Sequence, residues 1–205
     1  YIRTGGLALR WFKDSVCGQE KDGDYFDVLN DAAKDIPAGS DGVLFLPYLT
    51  GGTNDVKEAT GCFLNMTLDT DQATLWHAVL EAIGYDYMEI TDLYRGAGVD
   101  MSRITITEGG SRSEIWNQMK SDMLGSEVIT LKNAGGAVVT DCIVGAYALG
   151  HITDMKAALT ESLEIKKLYY TNAENHDFYA KQYALQKKLV KQDMKEAFHT
   201  LKALH

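Results

Sequence analysis

The stretch Ile104-Thr105-Ile106-Thr107-Glu108-Gly109-Gly110-Ser111-Arg112-Ser113-Glu114-Ile115-Trp116-Asn117-Gln118 decides the architecture. Arg103 to Thr107 is β-branched at four of its five positions and reads as a strand. The strand ends at Gly109-Gly110, and helical spacing takes over from about Arg112 to Leu124, with Ser111 and Glu114 at the S-x-x-E spacing of a capping box. A second unit of the same kind follows. Val128 to Leu131 reads as a strand, Asn133-Ala134-Gly135-Gly136 as a turn, and the small and apolar residues after it as a helix ending at Gly150. Strand, helix, strand, helix over residues 103–150 describes an α/β layer with parallel pairing.

Upstream, Leu7, Leu9, Trp11 and Phe12 form a short apolar pattern, followed by a polar surface loop from Gly18 to Asp24. Tyr25 to Lys34 has Phe26, Leu29 and Ala33 at helical spacing, and Ile36-Pro37-Ala38-Gly39 stops it. Val43 to Leu46 reads as a buried strand, Thr50 to Asn54 as a loop and Gly61 to Met66 as another strand. A long helix capped by Asp69 or Thr70 carries an apolar stripe of Leu75, Val79, Ala82, Ile83, Tyr87, Ile90 and Leu93 up to Gly96 and Gly98. Tyr179, Tyr183, Val190, Met194 and Leu201 predict a long terminal helix from Asn175, packed on its own domain. The expected division is a domain over residues 1–172 and that helix over 173–205.

The 205 residues are 45% hydrophobic and 24% charged, proportions that exclude a disordered or fibrous chain. Residues 1–150 carry a net charge of −11 and residues 151–205 one of +2. This acidic excess disfavours non-specific binding to nucleic acid or to an anionic membrane. No apolar run approaches the roughly 18–20 residues that span a bilayer. Cys17, Cys62 and Cys142 are odd in number and far apart, which fits a reducing, cytoplasmic setting better than a disulfide framework. The opening Tyr1-Ile2-Arg3-Thr4-Gly5-Gly6 reads like the interior of a longer protein.

A strand that stops at Gly-Gly and enters a helix lets a ligand approach the backbone, with free amides at the helix start facing any anion. The same Gly-Gly also suits a tight strand-to-helix connection, and Glu108 and Glu114 place negative charge nearby. Gly135-Gly136 admits both readings too. Two such turns in one sheet would lie side by side at one edge, which describes a nucleotide cleft better than either alone. His77 and Glu81, at i and i+4, read as a helix-surface ion pair. His151, His176, His199 and His205 lack partners at metal-ligand spacing, and no metal-binding residues are expected. Trp11, Trp76 and Trp116 read as core anchors or edge packers, and Asp141 as a helix acid facing either solvent or a cleft.

Three ordered segments carry a family resemblance. Phe45-Leu46-Pro47-Tyr48-Leu49-Thr50-Gly51, then Gly61 to Leu68, then Leu75 to Gly84 resemble the second signature of the FGGY carbohydrate kinases, which include xylulokinase, gluconokinase and glycerol kinase. Gly109-Gly110-Ser111-Arg112-Ser113 with Trp116 and Gln118 resembles that family's glycine-rich adenine-nucleotide motif. Leu9 to Asp14 and the terminal tyrosines are similar to its xylulokinase-like branch. Asn65 stands where the signature has glycine, and Glu108 at the first place of a common Gly-Gly-Gly. Thr140-Asp141-Cys142 stands where Gly-Ala-Ala is usual.

The resemblance implies an actin-like ATPase (ribonuclease H-like) domain, a mixed sheet flanked by helices with a long C-terminal helix. It further implies the C-terminal lobe of a cytoplasmic, ATP- and Mg²⁺-dependent sugar kinase acting on a ketose, polyol or sugar acid, xylulose-like above all. Gly109, Gly110 and Ser111 would contact nucleotide phosphates and ribose, Glu114 and Ile115 would line the adenine pocket, and Gly135 and Gly136 would flank the nucleotide. The catalytic aspartate and most sugar contacts are expected upstream of Tyr1, so the isolated chain is expected to be inactive, and its uncovered apolar stripe would favour a homodimer. A non-catalytic binding or assembly module is the competing reading. A Rossmann enzyme fits less well, because the G-x-G-x-x-G spacing is absent and Leu131 runs into Lys132-Asn133 rather than a ribose-binding acid.

Overall fold

The computed structural model describes residues 4–52, 56–132 and 136–204. Helix α1 (Gly5–Trp11) runs into one π-helical turn at Phe12–Val16, and α2 is Tyr25–Ala33. Strands β1 (Leu44–Leu46) and β2 (Cys62–Leu64) pair antiparallel, Leu44 opposite Leu64. The long helix α3 spans Gln72–Gly96. Then come β3 (Arg103–Ile106), α4 (Glu114–Leu124), β4 (Glu127–Leu131) and α5 (Gly136–Ala148). Helix α6 (Met155–Ser162) and strand β5 (Ile165–Tyr169) precede α7 (Ala173–Lys188), a π-helical turn at Leu189–Asp193 and α8 (Lys195–Ala203).

The second sheet has the order β3-β4-β5. Strands β3 and β4 are parallel, Arg103 opposite Glu127 and Ile106 opposite Thr130, as the strand-helix-strand pattern predicts. Strand β5 is antiparallel to β4, making the sheet mixed. Its lysines, and the three exposed residues that open it, hid it from a search for apolar alternation. Helix α6 was missed as well, although Asp154 caps it by accepting from the Ala157 amide at 2.9 Å.

The core is built around α3, which is buried on every side from Trp76 to Tyr85 rather than along one stripe. The stripe ends early, and Leu93 is 71% exposed. Phe12 and Phe26 both pack on Trp76, while Trp11 stacks on Phe45 and Phe45 on Phe63. Trp76 donates its indole N–H to Asn30, and Trp116 donates to the Leu80 carbonyl, so two of the tryptophans are core anchors with satisfied polar edges. Helix α4 lies so close to α3 that a Cβ at Gly84 would overlap the Met123 thioether.

Two caps shift from their expected positions. Asp71, in extended backbone, caps α3 by accepting from Thr74 N at 2.8 Å; Thr70 instead accepts from the Thr67 amide. Ser113, not Ser111, caps α4, because Gly109–Ser111 form a 3₁₀ turn of their own before the helix starts. The terminal helix is interrupted rather than continuous, with a π turn and Met194 separating α7 from α8. Helix α5 buries none of its residues, and Val138, Val144, Tyr147 and Leu149 around it are between 48% and 76% exposed.

Candidate functional site

The glycine turn sits where the central motif places it, at the carboxyl end of β3. The Ser111 amide donates to the Glu108 carbonyl at 3.1 Å and the Arg112 amide to the Gly109 carbonyl at 3.2 Å. The Ser111 hydroxyl adds a second bond to the Glu108 carbonyl at 2.8 Å. None of these bonds uses the Gly109 or Gly110 amide. A Cβ at Gly109 would meet nothing within 4 Å, and one at Gly110 would make only ordinary contact with the Trp116 ring at 3.5 Å. Gly109 therefore faces open space, with backbone accessible to a ligand, while Gly110 lies over the Trp116 ring and the Lys120 amine.

Glu108 holds φ 62° and ψ −159°, a conformation natural to glycine, where the family motif has its first glycine. Asn65, at the other glycine position of the signature, is likewise left-handed at φ 61°, and its amide donates to the Gly42 carbonyl at 3.0 Å. Both departures thus keep the backbone shape that glycine would have allowed.

Gly136 opens α5 directly above the end of β3, where a Cβ would come within 3.2 Å of Thr107. That contact sets the start of α5 beside the first turn, at the same edge of the parallel pair. Gly135 lies outside the described residues. Ser111 is buried and Ile115 half-buried against the core. The Glu114 carboxylate is exposed and engaged by Lys167 on β5 at 2.8 Å, which holds its pKa below the usual range, so its charge is already countered. Thr140, Asp141 and Cys142 are all exposed on α5, and Asp141 is a surface acid.

The residues beneath the turn escaped sequence reasoning. Asn117 and Lys120 lie at i and i+3 on the buried face of α4, where Trp116, Met119 and Met123 mark the apolar side. Polar residues on that face were the available signal. Asn117 Nδ2 donates to the Ser111 carbonyl at 2.7 Å and Lys120 Nζ to the Gly110 carbonyl at 2.9 Å.

A second polar cluster corrects the expected surface ion pair. His77 and Glu81 are 3% and 1% exposed, enclosed between the α2–β1 loop and α7. Glu81 accepts from the Gly39 amide at 2.7 Å and from the Ser40 hydroxyl at 2.8 Å, and His77 Nδ1 lies 2.8 Å from the same hydroxyl. Burial pushes Glu81 up to about 7 and His77 down to about 4, so His77 is uncharged and Glu81 changes charge near neutral pH. The pair stabilises a loop in which Ser40 and Asp41 are both left-handed.

The glycine turn fits the phosphate end of a nucleotide: two amides with no hydrogen-bond acceptor among the described residues, open space at Gly109 and a second helix start alongside. For Mg²⁺ the described residues offer no group of three metal-ligating side chains. Cys17, Cys62 and Cys142 are free, and no helix among the described residues is long and apolar enough to cross a membrane.

Known proteins share this fold. The xylulose kinase of Rhodospirillum rubrum superposes with a TM-score of 0.74 at 25% identity, over 95% of this chain and 38% of its own. Plasmodium falciparum glycerol kinase, solved with ADP, gives 0.73 at 15% identity over 91% and 37%. The fold is therefore that of the actin-like ATPases. A family model described as the FGGY family of carbohydrate kinases, C-terminal domain, matches residues 1–149, and the chain belongs to that family. Among curated relatives it is 29% identical to the xylulose kinase of Staphylococcus epidermidis over 191 residues, 92% of this chain and 38% of the relative. It is 32% identical to the gluconokinase of Bacillus subtilis over 168 residues, 76% of this chain and 32% of the relative. The chain thus spans about a third of the length of the relatives it matches.

Proposed function

We propose that this chain is the nucleotide-binding C-terminal lobe of an ATP-dependent sugar kinase. What supports the reading is the open Gly109-Gly110 turn at the end of a parallel strand, beside the start of α5. The ADP-bound glycerol kinase of the same fold and the xylulose kinase and gluconokinase relatives favour it further. The acceptor is a hydroxyl of a ketose, polyol or sugar acid, with a xylulose-like sugar first in line.

Bound ATP, with Mg²⁺, supplies the phosphoryl group that moves to the sugar. The Gly109 and Gly110 amides meet the phosphates, and the start of α4 adds the positive end of a helix. Ile115 offers apolar contact to the base, Glu114 stands at the same pocket wall and Gly136 flanks the other side. The proton of the sugar hydroxyl goes to a carboxylate on a preceding lobe that also makes most sugar contacts. Closure of the two lobes excludes water from the phosphoryl group. This chain alone binds nucleotide, transfers no phosphate and self-associates as a homodimer through surface that the other lobe would cover.

Calorimetric titration with ADP and Mg²⁺ is the test: a saturable heat of one nucleotide per chain is expected, whereas no heat would favour a non-catalytic module. ATP-dependent phosphorylation of xylulose by the chain alone would overturn the two-lobe division of labour.

A further inference from the structure

An anion approaching a backbone turn is attracted by amides and repelled by carbonyl oxygens, so an anion-binding turn must turn its carbonyls away. Four successive carbonyls here are all held. Glu108 O accepts from the Ser111 amide and hydroxyl, and Gly109 O accepts from the Arg112 amide. The next two are beyond the reach of the turn's own donors. Gly110 O is taken by Lys120 Nζ at 2.9 Å, and Ser111 O by Asn117 Nδ2 at 2.7 Å. Lys120 Nζ also lies 3.5 Å from Asn117 Oδ1, so one amine braces both carbonyls.

Keeping a lysine in that place is costly. Lys120 is 2% exposed and Asn117 fully buried, where an apolar side chain would pack without desolvating a charge. The amine lies 3.6 Å from the centroid of the Trp116 ring, whose face partly offsets the lost hydration. Burial nevertheless pushes its pKa down to about 7.

We propose that Lys120 and Asn117 are positioning residues of the nucleotide site: they hold the Gly110 and Ser111 carbonyls inward, leaving a turn that presents only the Gly109 and Gly110 amides to the phosphates of a nucleoside diphosphate. The proposal rests on the nucleotide reading and deepens it. Neither side chain touches the ligand. Lys120 places its buried amine behind the turn, against the Gly110 carbonyl.

The test is calorimetric titration of the chain with ADP and, separately, with adenosine, which lacks phosphate. In Lys120→Met, ADP affinity is expected to fall at least tenfold and adenosine affinity to stay within twofold, with an unfolding midpoint equal to or above that of the parent. This split separates positioning from a structural role, which would lower the midpoint and weaken both ligands together. ADP affinity within twofold of the parent in folded Lys120→Met, or equal losses for ADP and adenosine, would overturn the proposal. Asn117→Asp keeps the side chain's shape and removes its donor, and it is expected to give the same split; it decides the matter alone if Lys120→Met does not fold. Absence of ADP binding by the unsubstituted chain would overturn the nucleotide reading itself, and the positioning role with it.

Discussion

Glu108 occupies backbone space that costs a residue with a Cβ about 1–3 kcal/mol, and the two bonds from Ser111 to its carbonyl keep it there. Glu108→Gly is therefore expected to raise stability by about 1 kcal/mol, measured by urea unfolding, since relief of strain exceeds the entropy cost of the glycine. Gly110 differs, because its φ is not positive and a side chain there makes only ordinary contact with Trp116. Gly110→Val should leave the unfolding midpoint within a few degrees of the parent while weakening ADP binding at least tenfold by calorimetry. A folded variant with unchanged ADP affinity would remove the glycine turn from the nucleotide site. Glu81 makes a pH-dependent prediction at the same scale. Its pKa is raised from 4.5 to about 7 by burial, so the stability it contributes is full below 4.5 and lost as pH rises through 7. Asp86 is raised to about 7 as well, by burial and by Glu89, while His77 acts in the opposite sense between 6.5 and about 4. The informative quantity is the difference from Glu81→Gln: the parent should lose up to ~3 kcal/mol relative to that variant between pH 4.5 and 8.

Between elements, the firmest polar joint is Asp122 on α4. One oxygen accepts from Gln118 Nε2 at 2.8 Å and from the Asn172 amide at 2.9 Å, and the other from Asn175 Nδ2 at 2.8 Å. His176 Nδ1 lies 2.8 Å from its carbonyl. The carboxylate is 2% exposed, so Asp122→Ala strands several donors at the start of α7 and is expected to cost about 2–4 kcal/mol. Hydrogen exchange should show α7 amides losing protection before those of α3. At this scale the sequence was informative where periodicity and turn chemistry agreed. The β3-turn-α4-β4 run is legible because β-branched residues, Gly-Gly and helical spacing follow in order. The buried His77–Glu81 pair was not, because i, i+4 spacing is identical on either face of a helix and only tertiary packing decides which face is covered. Lys120 and Asn117 were hidden for a related reason. Their role depends on which carbonyls the 3₁₀ turn leaves unpaired, and that follows from three-dimensional registry. Strand β5 failed on composition, since an edge strand can carry lysines where a central one cannot.

Taken whole, the molecule exposes 12138 Å² of surface. A folded monomer of its mass, 22.7 kDa, would expose roughly 9,500 Å² by the usual scaling. Exposed apolar side chains gather on and beside α5, whose residues are nowhere buried, and stand at Leu68 and Leu93. Sedimentation of the chain at rising concentration is expected to show a growing dimer fraction, and a strictly monomeric chain would count against self-association. The uncovered α5 also bears on how stability varies with temperature. Heat capacity on unfolding rises with the apolar area newly exposed, about 12–15 cal/mol/K per residue for well-covered proteins, or roughly 2.5–3 kcal/mol/K at this length. Apolar side chains already in water add nothing to that change. Scanning calorimetry should therefore give a value below that range and a flatter curve of stability against temperature, its cold and hot limits lying farther apart than in a fully covered domain of equal maximum stability.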